Sequence, residues 1–183
     1  PQHVRKFSQL WPDIKLEIYS RSTDAVADEV ERGKLDLGII TLPLSNAALE
    51  MQALFHQHFV LVVPNSHHLA KRKQVSLNKL HGESFVLLEE STRTGTLLNG
   101  FFTRHDFTPT VSMHSGSFEV IKRYVAEGIG IALLPEMVLT PQDSELLAAV
   151  RVPDVPEIGI GAIWRKGSYR SRAATAFLDL LSQ

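Results

Sequence analysis

Residues 115–135 read SGSFEVIKRYVAEGIGIALLP, and this stretch decides the fold class of the chain. Its first three residues offer a helix N-cap, after which apolar side chains recur at helical spacing, at Phe118, Ile121, Tyr124 and Val125. Gly128 ends the predicted helix, where a left-handed backbone is often needed. The apolar run 131–134 then predicts a short buried strand that Pro135 closes. A helix feeding such a strand is half of an α/β unit, and the small hydroxyls at its start point to a ligand.

Upstream of Pro64 the same alternation of helix and strand recurs. Helices are predicted around residues 4–11 and from Ser22 or Thr23 to Gly33, and strands at 15–19 (KLEIY) and 35–41 (LDLGIIT). The short connections between them predict a parallel sheet with right-handed crossovers. Further strands are predicted at 51–55 and 59–63.

Downstream of Pro64 the pattern predicts a second set of elements. A polar connection at 65–74 precedes a short helix at 76–80, a strand at 85–88, a polar loop at 91–96 that opens a helix, and a strand at 110–114. An irregular, proline-containing stretch follows residue 135, and a strand at 158–164 and a terminal helix end the chain. The α/β pattern therefore predicts two lobes, the first formed by 1–63 with 157–183 and the second by 64–156.

Composition excludes several classes of protein. The 183 residues are 44% hydrophobic and 21% charged, which is ordinary for a globular protein. A net charge of −1 gives no overall attraction to nucleic acid or anionic lipid. The chain has no cysteine, so it has no disulfide or thiolate chemistry. No apolar run approaches 18 residues, which predicts no membrane partner, and Pro1 implies that upstream sequence is missing.

Four segments resemble, in order and spacing, the effector-binding domain of LysR-type transcriptional regulators: FSQLWPDIKLEI (7–18), VERGKLDLGIIT (30–41), FVLVVPNSHHLA (59–70) and VIKRYVAEGIGIALLP (120–135). The resemblance implies an α/β fold of two Rossmann-like lobes joined by two crossover strands, as in type 2 periplasmic binding proteins. It implies a small-molecule inducer bound between the lobes, which changes the arrangement of lobes or oligomer. It also implies an N-terminal winged helix-turn-helix and a first strand, both absent from this chain.

The resemblance further implies partners and a location. The family's domains pair antiparallel, so we expect a homodimer through the lobes, with Val4, Phe7 and Ile18 or Tyr19 at the interface, and a tetramer when full length. Contact with DNA is expected only through the missing N-terminal domain. The cytoplasm is the expected location.

Hydroxyl-bearing residues at the carboxyl ends of strands and at helix starts are the candidate effector contacts. Three places qualify: Thr41; Thr94, Gly95 and Thr96; and Ser115 and Ser117. Free backbone N–H groups at a helix start favour a carboxylate or phosphate, so an anionic effector is expected. The alternative is that these residues only cap helices or form turns. Arg93 and Glu119 are lesser candidates, because charges beside a helix start usually face solvent.

Other chemistry finds little support in the sequence. His56 with His58, and His67 with His68, lack both an HExxH motif and an acidic partner at metal spacing, so no metal is predicted. Without GxSxG, GxGxxG or GKS/T motifs, neither catalytic residues nor a cofactor is predicted, and an enzyme is not expected. Two rivals remain open at this point: a transporter's solute-binding protein with the same fold, and an enzyme built on that fold.

Overall fold

The structure is a computed structural model and describes residues 2–182. In chain order its helices are α1 (Gln2–Leu10), α2 (Thr23–Glu31), α3 (Arg93–Arg104), α4 (Phe118–Ala126) and α5 (Arg172–Leu181). Its strands are β1 (Gly38–Thr41), β2 (Leu49–Gln57), β3 (Phe59–Pro64), β4 (Ser84–Leu88), β5 (Thr110–Ser115), β6 (Ala132–Pro135), β7 (Leu147–Arg151) and β8 (Ile158–Arg165). Short 3-10 helices lie at Leu77–Leu80, Glu136–Val138 and Pro141–Glu145. No described helix has both the length and the apolar character needed to cross a membrane.

The chain divides into two compact units. The first comprises residues up to His56 and those from Gly159 onward, and the second is Gln57–Ile158. The first division lies seven residues before the boundary expected at 63/64, and the second lies two residues after the boundary expected at 156/157. Strand β3, expected in the first lobe, pairs with β6 and β7 inside the second unit.

The first unit is built on a three-stranded sheet in the order β1-β8-β2. Ser22 caps α2 by accepting a hydrogen bond from the N–H of Ala25. The apolar face of α2 then packs on the sheet in a core of Val26, Ala27, Val30, Ile40, Leu49 and Ile163. Helix α1 packs against α5, where the rings of Phe7 and Phe177 meet edge to face at 5.2 Å.

Two expectations for the first unit are wrong. The predicted parallel sheet is not formed, because β1 pairs antiparallel with β8, from the far end of the chain. The KLEIY segment at 15–19 is not a strand, because none of its residues joins a described β-ladder. Alternation of side chains predicts an extended backbone, whereas a strand also needs a hydrogen-bonded neighbour.

The second unit contains two small sheets. Strands β4 and β5 pair in parallel, and β3 lies at the centre of an antiparallel sheet in the order β6-β3-β7. Strand β7 falls in the stretch that the sequence analysis left irregular. Its sequence, LAAVR, is short and weakly patterned, and its pairing with β3 joins segments far apart in the chain. The deciding stretch forms α4 and β6, as the sequence predicts.

The interface expected on α1 needs one correction. Phe7 is only 1% exposed and packs inside the first unit against Phe177, so it belongs to the core of this unit. Neighbouring apolar side chains do face solvent, namely Leu10, Ile14, Ile18 and Tyr19.

Candidate functional site

The parallel pairing of β4 with β5 brings the starts of two helices together in the second unit. Leu88, the last residue of β4, is in register with Ser115, the last residue of β5. The N–H of Glu89 extends this contact by donating to the Ser115 carbonyl at 3.2 Å. Because α3 follows β4 and α4 follows β5, Thr94–Thr96 and Ser115–Ser117 lie at the same edge of this sheet.

The start of α3 is held by hydrogen bonds within the chain. Thr92 is the N-cap, and its Oγ1 accepts from the N–H of Gly95 at 2.9 Å. Thr94 and Gly95, in the first turn, are buried. The Thr96 hydroxyl donates to the carbonyls of Glu90 and Thr92, at 2.9 and 3.0 Å. Thr92 was not among the residues singled out by sequence, although an N-cap threonine followed by a helical period is a recognisable signal.

The start of α4 has similar local bonding. Ser117 is the N-cap and its Oγ accepts from the N–H of Val120 at 3.4 Å. The Oγ of Ser115 accepts from the N–H of Ser117 at 3.1 Å. Ser117 therefore caps the helix and Ser115 stabilises the turn before it, which are the roles that the sequence analysis held as the alternative to ligand binding.

Sequence reasoning missed Glu89, which lies between the two helix starts. Its carboxylate accepts a hydrogen bond from Ser91 Oγ at 3.1 Å. The same carboxylate lies 3.5 Å from the point where a Cβ on Gly116 would stand. The positive ends of helix dipoles attract carboxylates. The negative charge of Glu89 therefore offsets part of the positive potential that would otherwise favour an anionic ligand. Nothing in the sequence distinguishes this glutamate from other exposed acids.

Thr41, the candidate in the first unit, has a comparable position. It ends β1, and its N–H donates to Thr23 Oγ1, in the first turn of α2, at 3.4 Å. The Thr41 side chain is half-buried. The end of a strand thus meets the start of a helix here as well.

A small recess lies beside the start of α3 in the second unit. Its walls come from Leu87, Leu98, Phe102, Glu90, Asn99 and His114, with Gly95 at its edge. The cavity volume of about 20 Å³ has room for about one water molecule. The recess is therefore too small to hold an organic effector.

A buried lysine in α4, Lys122, joins this helix to the segment 138–143. Lys122 is 3% exposed, and its Nζ lies 2.8 Å from both Asp143 Oδ2 and Glu119 Oε1 and donates to the Val138 carbonyl at 3.0 Å. Burial alone would lower the pKa of Lys122, but the hydrogen bonds to Asp143 and Glu119 outweigh it, so this pKa is raised.

The pKa of Asp143 shifts the opposite way. Burial alone would raise it, but hydrogen bonds from Lys122 and Thr140 outweigh that effect and lower the pKa. Both shifts favour the charged forms. The cluster therefore joins α4 to the segment 138–143 as an ion pair, a structural role that the sequence analysis did not foresee.

A family model and the relatives found among known proteins point to the same protein family. The family model described as the LysR substrate binding domain matches residues 1–183. The HTH-type transcriptional regulator YybE of Bacillus subtilis is 26% identical over 97% of this chain and 60% of its own length. The Hca operon transcriptional activator HcaR of Escherichia coli is 24% identical over 93% of this chain and 58% of its own. The chain thus spans about 60% of the length of these relatives.

Solved structures show the same fold. The QuiR effector-binding domain in complex with shikimate superposes with a TM-score of 0.84 and 20% identity, covering 99% of this chain and 87% of that one. The CcmR regulatory domain of Synechocystis in complex with 2-PG superposes with a TM-score of 0.86 and 22% sequence identity, covering 100% of this chain and 88% of that one. The BenM effector-binding domain with benzoate superposes with a TM-score of 0.84 and 24% sequence identity, covering 99% of this chain and 83% of that one. The predicted type 2 periplasmic-binding-protein-like α/β fold is therefore confirmed.

Proposed function

Because this chain belongs to the family of LysR substrate-binding domains, we propose that it is the effector-sensing part of a longer DNA-binding transcriptional regulator. The names of its relatives support this role, since HcaR is a transcriptional activator and YybE and YwbI are named as uncharacterized HTH-type transcriptional regulators. The transporter alternative is not favoured. The family is one of transcriptional regulators, not of enzymes.

One observation carries the proposed site. The register Leu88↔Ser115 places the starts of α3 and α4 side by side, with backbone N–H groups and hydroxyls at one sheet edge. We propose that Thr94, Gly95, Thr96, Ser115 and Ser117 contact the effector there, and that Thr41 in the first unit also contacts it. Glu89 at the same edge accepts hydrogen bonds, so a hydroxyl-bearing anion fits the edge better than a bare one. Shikimate, bound by QuiR, is a hydroxylated carboxylate of this kind.

Such an effector is expected to raise the thermal unfolding midpoint of the chain. At a hundredfold its Kd it should stabilise the folded state by about 2.7 kcal/mol. The unfolding midpoint is measured in the presence of each member of a panel of hydroxylated carboxylates and phosphate esters. Calorimetry then measures binding of any compound that raises it. Thr94→Val, which keeps the side-chain volume and removes the hydroxyl, should abolish the shift.

Thr103→Val is the matched control. Thr103 lies on the same helix, but its hydroxyl donates to the Asn99 carbonyl away from the helix start. Its variant should keep the full shift. A shift that survives both Thr94→Val and Ser117→Ala would contradict the proposed site. Failure of every small anion would contradict an anionic effector.

A regulator of this kind must couple effector binding to its partners. We propose that the chain forms a homodimer through its lobes, and that the full-length protein forms a tetramer and contacts DNA through an N-terminal winged helix-turn-helix. The cytoplasm is the compartment where such a protein acts. The effector can shift the assembly only if it binds one arrangement more tightly than another.

The apolar side chains exposed around α1 provide a test of the dimer. We expect Ile18 and Tyr19, which are 64% and 50% exposed, to border the interface with the partner copy. Tyr19→Asp or Ile18→Asp should therefore convert dimer to monomer in sedimentation velocity, because burying an unpaired carboxylate is strongly unfavourable. Tyr169→Asp, at a tyrosine that is 89% exposed, is the control and should leave the dimer intact. Dimers that persist in both the Tyr19 and Ile18 variants would place the interface elsewhere.

A further inference from the structure

Two adjacent histidines and a distant glutamate converge in the second unit. His67 and His68 lie in the turns that follow β3, and Glu83 directly precedes β4. His67 Nε2 lies 3.3 Å from Glu83 Oε2, and His68 Nε2 lies 3.5 Å from Glu83 Oε1. One carboxylate thus faces two imidazoles, and the three ligand atoms lie within 4.8 Å of one another. The sequence analysis found no acidic partner for these histidines, because Glu83 is brought to them only by the fold.

Two turns of the backbone, one after β3 and one before β4, position the three side chains. The N–H of His67 donates to the carbonyl of Pro64, the last residue of β3, and the N–H of Ala70 donates to the His67 carbonyl, both at 2.9 Å. On the other side Gly82 has φ of 87°, the left-handed region that favours glycine, and so turns the chain toward Glu83. Buried Leu69 and Leu80 fix the two turns in the core. The cluster is therefore positioned by strand ends.

The spacing suits a transition metal. Ligand atoms about 2.1 Å from a tetrahedral Zn²⁺ lie about 3.4 Å from each other. Each imidazole nitrogen lies near that separation from one oxygen of the Glu83 carboxylate, at 3.3 Å for His67 and 3.5 Å for His68, and one ligand atom from each of the three residues lies within 4.8 Å of the other two. Imidazole nitrogens with a carboxylate form a ligand set that suits Zn²⁺ and neighbouring divalent metals better than Ca²⁺ or Mg²⁺.

We propose that His67, His68 and Glu83 form a surface site for one divalent transition-metal ion such as Zn²⁺, with the remaining coordination position open to solvent. His67 and Glu83 are largely buried at this site, whereas the side chain of His68 is 67% exposed. The ion enters from the His68 side. With only three protein ligands, the site can exchange its metal with solution.

Protonation sets the cost of binding. The N–H of Leu69 donates to His67 Nδ1 at 3.3 Å, so neutral His67 carries its proton on Nε2 and donates it to Glu83. A metal on Nε2 takes the place of that proton, which moves to Nδ1, so the hydrogen bond from the Leu69 N–H to Nδ1 is lost. The metal and this proton therefore compete for Nε2 of His67.

The test uses the chain without a histidine tag, after treatment with a chelator. Isothermal titration with Zn²⁺ alone should show one saturable ion per chain. His68→Gln and Glu83→Gln should each abolish saturable binding, and X-ray absorption at the zinc edge should show two imidazoles in the bound wild type. His58→Gln is the matched control, because His58 also faces a carboxylate, Glu157 at 3.2 Å, but without a second histidine. This control should bind Zn²⁺ as the wild type does.

Several results would overturn the site. Absence of saturable Zn²⁺ binding is one, and binding that His68→Gln leaves unchanged is another. Loss of binding in His58→Gln, with both cluster variants unaffected, would move the ion to the other histidine. Because His68 is mostly exposed, its variant is expected to fold, and an unchanged unfolding midpoint without metal verifies this. The proposed effector site has no part in the outcome.

Discussion

Replacing Gly95 with alanine is expected to lower the free energy of unfolding by about 3 kcal/mol, because the added methyl has no space. A Cβ at Gly95 would lie 2.0 Å from the carbonyl oxygen of Glu89 and 2.9 Å from Thr92 Oγ1. The obstacle is backbone, in the connection between β4 and α3, so no change of rotamer relieves the clash. Urea denaturation of the wild type and the variant measures the difference.

Gly100→Ala on the same helix is the matched control. A Cβ there would meet only Arg104 Nη1 at 3.5 Å, an ordinary contact with a flexible side chain. Alanine favours the helix interior over glycine by about 1 kcal/mol, so this variant should be as stable as the wild type or more stable. Gly95→Ala within about 0.5 kcal/mol of the wild type, the range of a neutral surface change, would contradict the close approach.

The outcome also affects how effector experiments are interpreted. Gly95 is one of the proposed contacts, yet its N–H already donates to Thr92 Oγ1, and the Glu89 carbonyl fills the space where a Cβ would stand. Loss of effector binding in Gly95→Ala would therefore report a displaced helix start. Thr94→Val is the informative variant, because it changes a hydroxyl without adding volume.

Local patterns predicted the local elements of this fold. Helix α4 follows from its apolar spacing and its Ser117 cap, and β6 from the apolar run that ends at Pro135. Pairing between distant segments was not predictable in the same way. The antiparallel partner of β1 is β8, and β7 became a strand by joining β3. Side-chain period indicates which backbone is extended, but the partner is chosen by the packing of the whole unit.

The candidate site was predictable to a similar extent. Sequence placed hydroxyls at two helix starts, and the parallel pairing of β4 with β5 brings those starts together. It did not identify Glu89 between them, nor Glu83 beside His67 and His68, because each glutamate acquires its neighbours through the fold. Capping also explains most of the hydroxyls, since helix starts need them whether or not a ligand binds.

Asp143→Ala is expected to lower the free energy of unfolding by about 3 kcal/mol at neutral pH, because it removes the main partner of a buried charge. The Lys122 side chain is 4% exposed and keeps only Glu119 and the Val138 carbonyl after the change. Asp143 Oδ2 also accepts hydrogen bonds from Thr140 N–H and Oγ1, at 2.7 and 2.9 Å. The variant therefore loses the link between α4 and the segment 138–143. Chemical denaturation provides the measurement.

Two further variants separate the ion pair from its surroundings. Glu119→Ala removes the other acidic partner of Lys122, but that side chain is 72% exposed, so the cost should stay below about 1 kcal/mol. Lys122→Met replaces the buried lysine with an uncharged side chain of similar length. It should lower the free energy of unfolding by less than Asp143→Ala does. The double variant of Lys122 and Asp143 should then be more stable than the sum of the single changes predicts. Strict additivity would show that the two groups do not interact.

The same pair makes stability depend on pH in opposite directions at the two ends of the scale. The pKa of Asp143 is lowered in the folded state, so its contribution is complete well above the ordinary value of 3.8 and is lost as the pH falls through the folded pKa. The pKa of Lys122 is raised, so its contribution is complete below the ordinary value of 10.5 and is lost at higher pH. The gap in stability between the wild type and Asp143→Ala should therefore be constant from about pH 5 to 9 and shrink in acid below that window. A gap that grows as the pH falls below 4 would show that Asp143 is protonated in the folded protein, and that the hydrogen bonds to Lys122 and Thr140 do not hold its charge.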